Sequence, residues 1–276
     1  MLRRSIYKSP AQLRLMREPG LITAAALDAV RGLIAPGVTT LELDAAASAV
    51  ITSAGAESNF QMVRGYRHTI CVSVNEQVVH GIPGERVLEP GDIVSVDAGA
   101  ELRGWNGDSA FTVVVPDADR PDVVADREEL SRVTEGSLWA GIASLARASH
   151  IGEIGAAVQD YIEGSGHEYG ILRDYVGHGI GRKMHESPSV FNYRVSDPGA
   201  EIRSGLVLAI EPMVVAGSEE TFIEEDDWTV STVDGSAGSH WEHSVAVHDD
   251  GIWVLTAPDG GKAGLAPFGV VPQEIR

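Results

Sequence analysis

The sequence predicts a mixed α+β domain built from two related halves. Three observations predict it. Residues 93–115, IVSVDAGAELRGWNGDSAFTVVV, hold two β-branched runs around a polar, glycine-bearing middle, which is a hairpin pattern. A long helical pattern, a second helix and a glycine stop precede strand-like sequence, and this order occurs twice. Shifted by 111 positions, residues 43–55 overlay 154–166, with Ala45/Ala156, Ala46/Ala157, Ile51/Ile162 and Gly55/Gly166 identical. The expectation is one domain over residues 1–256, with approximately twofold-related halves 1–118 and 119–256. A Pro- and Gly-rich tail, 257–276, is expected to be mobile.

Each element has a local cause. Ser9-Pro10 reads as an N-cap and first helical residue, with Leu13, Met16, Leu27 and Val30 following at helical spacing. Pro19 lacks the amide that would bond the Leu15 carbonyl, so a kink or two helices is expected. Thr39-Thr40-Leu41-Glu42 is a capping box for a second helix that stops near Gly55. Residues 69–74 alternate like a strand, and the hairpin follows. Residues 117–126 read as an acidic loop, 127–148 as a long helix and 151–163 as a shorter one. Strands are expected at 206–210, 228–233, 243–248 and 252–255.

Composition narrows the function. The 276 residues carry 21 Lys+Arg against 40 Asp+Glu, a net charge of −19, which disfavours nucleic acid or an anionic membrane as the main partner. The single cysteine, Cys71, rules out an internal disulfide and fits a reducing compartment. Arg3 and Arg4 resemble the start of a signal peptide, but residues 5–14 are too polar for its apolar core. There is no apolar run of membrane-spanning length. A cytoplasmic location is expected.

Five residues could act together. Asp97 ends the first hairpin run and Asp108 opens the second. Their numbers sum to 205, so a turn centred between Leu102 and Arg103 would set them directly opposite on one face. Two like charges so placed need a cation, or one must hold a proton. His178 lies in GHGIGRKMHE, Glu211 closes the apolar run LVLAI, and Glu242 opens a strand in SHWEHSVAV. Alone, Gly-His-Gly is more often a turn than a ligand, and Glu242 could be an edge residue. As a set they supply four carboxylates and one imidazole. Four carboxylates against two divalent ions sum to zero charge, and Mn, Fe, Co or Zn all suit such donors.

The ordered string VNEQVVHGIPG, VDAG, GWNGDSA, GHGIGRKMHE, AIEPM and HWEHS resembles the type I methionine aminopeptidases from about Ser9 to Thr256. The resemblance implies the pita-bread fold: a curved, antiparallel-rich sheet with helices on its outer face and an internal pseudo-twofold. It implies two divalent metal ions, with Asp97 on one, His178 and Glu211 on the other, and Asp108 and Glu242 bridging. It implies hydrolysis of the first peptide bond by activated water, with Glu211 as proton shuttle. His185 would donate to the oxyanion and His80 would contact the amide nitrogen beyond the cleaved bond. Tyr66, Cys71, Met184 and Trp228 are the implied lining for the methionine side chain. The implied substrates are N-termini of nascent polypeptides, with the ribosome a transient partner; docking through long N-terminal extensions is not expected, and a monomer is.

The chain departs from the common family pattern in ESNFQMVRGYRH before Cys71, at Asn106 where many members have histidine, and at Pro19. The first of these bears on pocket shape. Two rival readings remain. An X-Pro aminopeptidase or prolidase would share fold and ligands but usually carries an extra N-terminal domain, and 79 residues before His80 leave no room for one. A non-catalytic binding protein of the same fold would be expected to lose ligands, whereas all five positions are filled.

Overall fold

The computed structural model describes residues 5–276; Arg3 and Arg4, weighed above as the start of a signal peptide, lie outside them. Ser9 and Thr39 cap α1 (Pro10–Arg31) and α2 (Thr40–Ser53), each through a complete capping box. The main sheet contains β1 (Glu57–Ser58), β2 (Ile70–Val74), β3 (Ile93–Leu102), β4 (Trp105–Val114), β5 (Gly177–Gly179), β6 (Glu186–Val190), β7 (Val207–Ile210), β8 (Glu242–His248) and β9 (Gly251–Val254). Its order is β1-β3-β4-β8-β7-β5-β6, with β2 also on β3 and β9 also on β8. All of these pairings are antiparallel. Helices α3 (Pro121–Ser144) and α4 (Gly152–Glu163) follow the hairpin.

Alternation along the strands separates two faces. Val94, Val96 and Ala98 of β3 pack with Leu27 and Val30 of α1 and Leu43 and Ile51 of α2. Leu208 and Ile210 of β7 pack with Leu138 and Ile142 of α3 and Ile154 and Val158 of α4. The helices thus cover one face, and the residues between these positions occupy the other. Two short three-stranded sheets complete the fold, one through Met213–Val215 and one through Val230–Thr232.

Five expectations need correction. The hairpin register pairs Ile93 with Val114 and Leu102 with Trp105, so Asp97 opposes Ala110, and Asp108 opposes Gly99. The turn is Arg103-Gly104, both with positive φ (54° and 78°), the two-residue geometry that glycine favours in its second position. Asp97 and Asp108 are therefore diagonal neighbours rather than an opposed pair. Next, α3 begins six residues before the expected position 127, because Pro121 takes its first turn. Residues 177–179, read as a turn, and 186–190, read as nothing regular, are strands. Finally, the tail is docked rather than mobile. Ile275 is 3% exposed against Leu13 and Met16, Arg17 pairs with Glu274 at 2.7 Å, and His248 contacts the Gln273 carbonyl at 2.8 Å.

Helix α1 also runs unbroken through Pro19. One turn on, the Thr23 hydroxyl donates to the Pro19 carbonyl (3.0 Å) and accepts from the Ala100 amide of β3 (3.1 Å). The Pro19-Gly20 step is where helix and hairpin touch backbone to backbone. A Cβ added at Gly107 would stand 2.7 Å from the Gly20 Cα and 2.8 Å from its nitrogen. Gly107→Ala is accordingly expected to destabilise the protein by about 2 kcal/mol in urea titration, the scale of an overpacked site. A loss within error of zero would mean that the helix moves aside freely.

Candidate metal centre

Strand register brings the predicted residues to the face away from the helices. Cys71, Asp97, Ala110 and Glu242 stand in one row across β2, β3, β4 and β8. Asp108, two residues before Ala110, shares their face. His178 opposes Ala209, and Ala209 opposes Ser244, two residues beyond Glu242. Glu211 follows the end of β7, where the Asn192 amide donates to its carbonyl at 3.0 Å. Ser244 closes the gap between β4 and β8: it accepts from the Asp108 amide (3.1 Å) and donates to the Asp108 carbonyl (2.8 Å).

His178 Nε2 lies 3.4 Å from Glu211 Oε1 and 4.0 Å from Asp108 Oδ2. Its Nδ1–H donates to the Gly179 carbonyl at 3.0 Å, which leaves the Nε2 lone pair facing those oxygens. Two triads, Asp108–His178–Glu242 and Glu211–His240–Glu242, each hold one donor atom per residue within 4.8 Å of one another. Glu242 belongs to both. Asp97 lines the same cavity, though it belongs to neither triad.

Burial pushes the Asp97 carboxyl up to about 8 and raises those of Asp108, Glu211 and Glu242 well above the usual range, the neighbouring carboxylates adding to the shift. Among the described residues no lysine or arginine pairs with any of the four. Asp97 Oδ1, Asp108 Oδ1 and Glu242 Oε1 are buried without a hydrogen-bond partner. Unpartnered anionic oxygens converging with an imidazole lone pair fit divalent cations, which satisfy charge and donors together.

The cavity that holds these groups, about 150 Å³, is also lined by Tyr66, Cys71, Met184 and Trp228, the four predicted pocket residues, and by Phe60 and Val63, which were not expected. Tyr66 donates to the Ile70 carbonyl (2.6 Å), so the Cys71 thiol is left to donate to the phenol oxygen (3.2 Å). Burial raises the Cys71 pKa, so it stands there as a neutral thiol. The Tyr66 and Trp228 rings meet edge to face at 5.1 Å.

The two further histidines also line it. His80 has a positive φ of 61°, an uncommon conformation for a non-glycine residue, directly after the strand Gln77–Val79. Burial, with His185 nearby, lowers its pKa to about 4. His185 is exposed at the rim, its ring 4.3 Å from that of His178. His240, which sequence reading passed over, stands two residues before Glu242 in SHWEHS; that spacing was the available signal.

A curled antiparallel sheet, helices outside it and a buried carboxylate–imidazole cluster inside define a metallopeptidase of the pita-bread fold. Residues 14–249 match Metallopeptidase family M24, and the chain belongs to that family. Within it the likeness is to methionine aminopeptidases. Methionine aminopeptidase 1 of Bacillus subtilis (strain 168) is 43% identical over 91% of this chain and 98% of its own length. The crystal structure of methionine aminopeptidase from Thermotoga maritima superposes with a TM-score of 0.84 at 38% identity, covering 91% of this chain and 98% of that one. A prolidase from Pyrococcus furiosus, 20% identical with a TM-score of 0.69, shares the fold over 91% of this chain and 65% of its own. Among the described residues no helix is long and apolar enough to cross a membrane.

Proposed function

We propose that this chain is a two-metal aminopeptidase that removes the N-terminal methionine from polypeptides by hydrolysing the first peptide bond. The observation that carries the proposal is one cavity in which five metal-type donors and a sulfur- and aromatic-lined apolar recess lie side by side. Asp97, Asp108, His178, Glu211 and Glu242 would hold two divalent ions of the Mn, Fe, Co or Zn group. When bound, such ions polarise the scissile carbonyl and lower the pKa of water.

The chain's own residues do the rest. Tyr66, Cys71, Met184 and Trp228, with Phe60 and Val63, receive the methionine side chain and exclude water from it. The Glu211 carboxylate takes a proton from the attacking water and returns it to the departing amine nitrogen. His185, at the rim, donates a hydrogen bond to the developing oxyanion. His80, kept neutral by burial, donates to the substrate beyond the cleaved bond without adding charge to the site. Nascent-chain N-termini in the cytoplasm are the proposed substrates, met by a monomer in transient contact with the ribosome.

Methionyl-alanyl peptides are expected to be cleaved, and alanyl-prolyl peptides to be at least about a hundredfold poorer, roughly 2.7 kcal/mol of transition-state discrimination. Chelation should abolish cleavage, and Mn, Fe or Co should restore it. Faster turnover of Ala-Pro substrates would favour the X-Pro reading. Undiminished activity in a metal-free preparation would end the metallopeptidase reading.

A further inference from the structure

One buried side chain of the cluster has no part in this chemistry. His240 is 1% exposed, and its Nε2 has no hydrogen-bond partner. Its backbone is fixed on both sides. The amide donates to Thr112 Oγ1 (2.9 Å) and Ser95 Oγ (3.2 Å), and the carbonyl accepts from the Thr112 hydroxyl (2.8 Å). The imidazole is therefore delivered to one place, with Nε2 3.9 Å from Glu242 Oε2 and 4.0 Å from Glu211 Oε2.

The two imidazoles of the cluster are not equivalent. His178 gives its Nδ1–H to Gly179 and turns a lone pair toward the carboxylates. His240 turns Nε2 toward two carboxylate oxygens at nearly equal distance. Two negative oxygens favour an N–H at that position over a lone pair. The distances exceed a hydrogen bond, so the contact requires a glutamate side chain to turn toward Nε2.

We propose that His240 is a positioning residue. It donates Nε2–H to the carboxylates of Glu211 and Glu242, so that each is held with its other oxygen turned into the cluster. Glu242 belongs to both triads, so its orientation bears on the whole donor set. Hydrogen bonds of this kind fix ligand orientation and raise metal affinity. The proposal rests on the reading of the cluster as a metal centre.

Cobalt(II) binding to the full-length protein tests it, by calorimetry and by the visible absorption of the bound ion. Natural protein, His240→Gln and His240→Leu would be compared. Glutamine can place an amide N–H at a similar reach, whereas leucine keeps bulk and removes the donor. His240→Leu is expected to weaken cobalt binding by roughly 10–100-fold, and His240→Gln to stay within about threefold of the natural protein with an unchanged spectrum. Natural affinity in His240→Leu would overturn the proposal, because the ring would then be only a spacer. A His240→Gln protein as weak as His240→Leu, with an altered spectrum, would overturn it in favour of direct ligation. Should circular dichroism show His240→Leu unfolded, His240→Gln decides alone: retained affinity and spectrum support the proposal, and their loss overturns it. Absence of cobalt binding by the natural protein would instead remove the metal centre on which the proposal depends.

Discussion

Asp108→Asn is expected to stabilise the metal-free protein and to remove its peptidase activity in the same step. Asp108 is 3% exposed, has one oxygen without a partner, and lies among three other carboxylates. Burial first, and then the charges of Asp97 and Glu211, raise its pKa. An amide of the same shape needs no retained proton to stay neutral, and it donates to a neighbouring carboxylate at any pH, whereas the acid must either hold a proton or repel its neighbours. The expected gain is about 1–3 kcal/mol in chelator, the range over which replacing a buried charge by a neutral group of similar size helps folding. Loss of this donor should lower kcat/KM on a Met-Ala peptide by at least about a thousandfold, roughly 4 kcal/mol, even with added metal. Thermal unfolding in chelator and steady-state kinetics read the two effects separately. Unchanged activity would place Asp108 outside the donor set. A variant less stable than the natural metal-free protein would show that the carboxylates are not under mutual strain.

This opposition between stability and activity also explains how far the sequence was legible. Helix caps could be read because they are local: Ser9 with Gln12 and Thr39 with Glu42 lie within four residues of each other. The candidate donor set could be singled out because acids at the ends of apolar strands are rarely placed there for stability, and their order along the chain carries a family resemblance. What could not be read was set by contacts distant in sequence. Pro19 stays within one helix because the Pro19-Gly20 backbone packs on Gly107. The tail is ordered because Ile275 finds Leu13 and Met16, more than 250 residues earlier. The hairpin register missed by two because the turn was centred one residue early, and Arg103-Gly104 carried the better turn signal. Asp97 and Asp108 reach the same face under either register, since a shift of two in the sum preserves the strand's period. The placing of the two aspartates on one face therefore does not depend on which of these two registers the hairpin takes.

Stripped of metal, the folded protein should lose stability as pH rises from about 6.5 to 8. The Asp97 carboxyl stands at about 8 in the folded chain, and those of Asp108, Glu211 and Glu242 are also raised, by burial before all else. A group whose pKa is raised by folding keeps a proton that the unfolded chain has released. Its contribution is fully present below the unfolded value near 4 and is lost as pH climbs through the folded one. The buried histidines work the other way. Burial lowers His80, His178 and His243 to about 4 and His240 to about 3, so the unfolded chain takes up protons between those values and 6.5, and their contribution is complete only above that window. The two sets oppose each other below pH 6.5, and above it the carboxylates act alone. Each proton the folded cluster retains there costs about 1.4 kcal/mol of stability per pH unit. A bound divalent cation removes those protons in the folded state as well, so the metal-loaded protein should show no such loss, and metal binding should strengthen over the same range. Urea titrations at pH 6.5, 7.25 and 8, with chelator and with cobalt, separate the two curves. Parallel curves would mean that the four acids are already ionised without a cation, so that metal binding displaces no proton from the folded cluster.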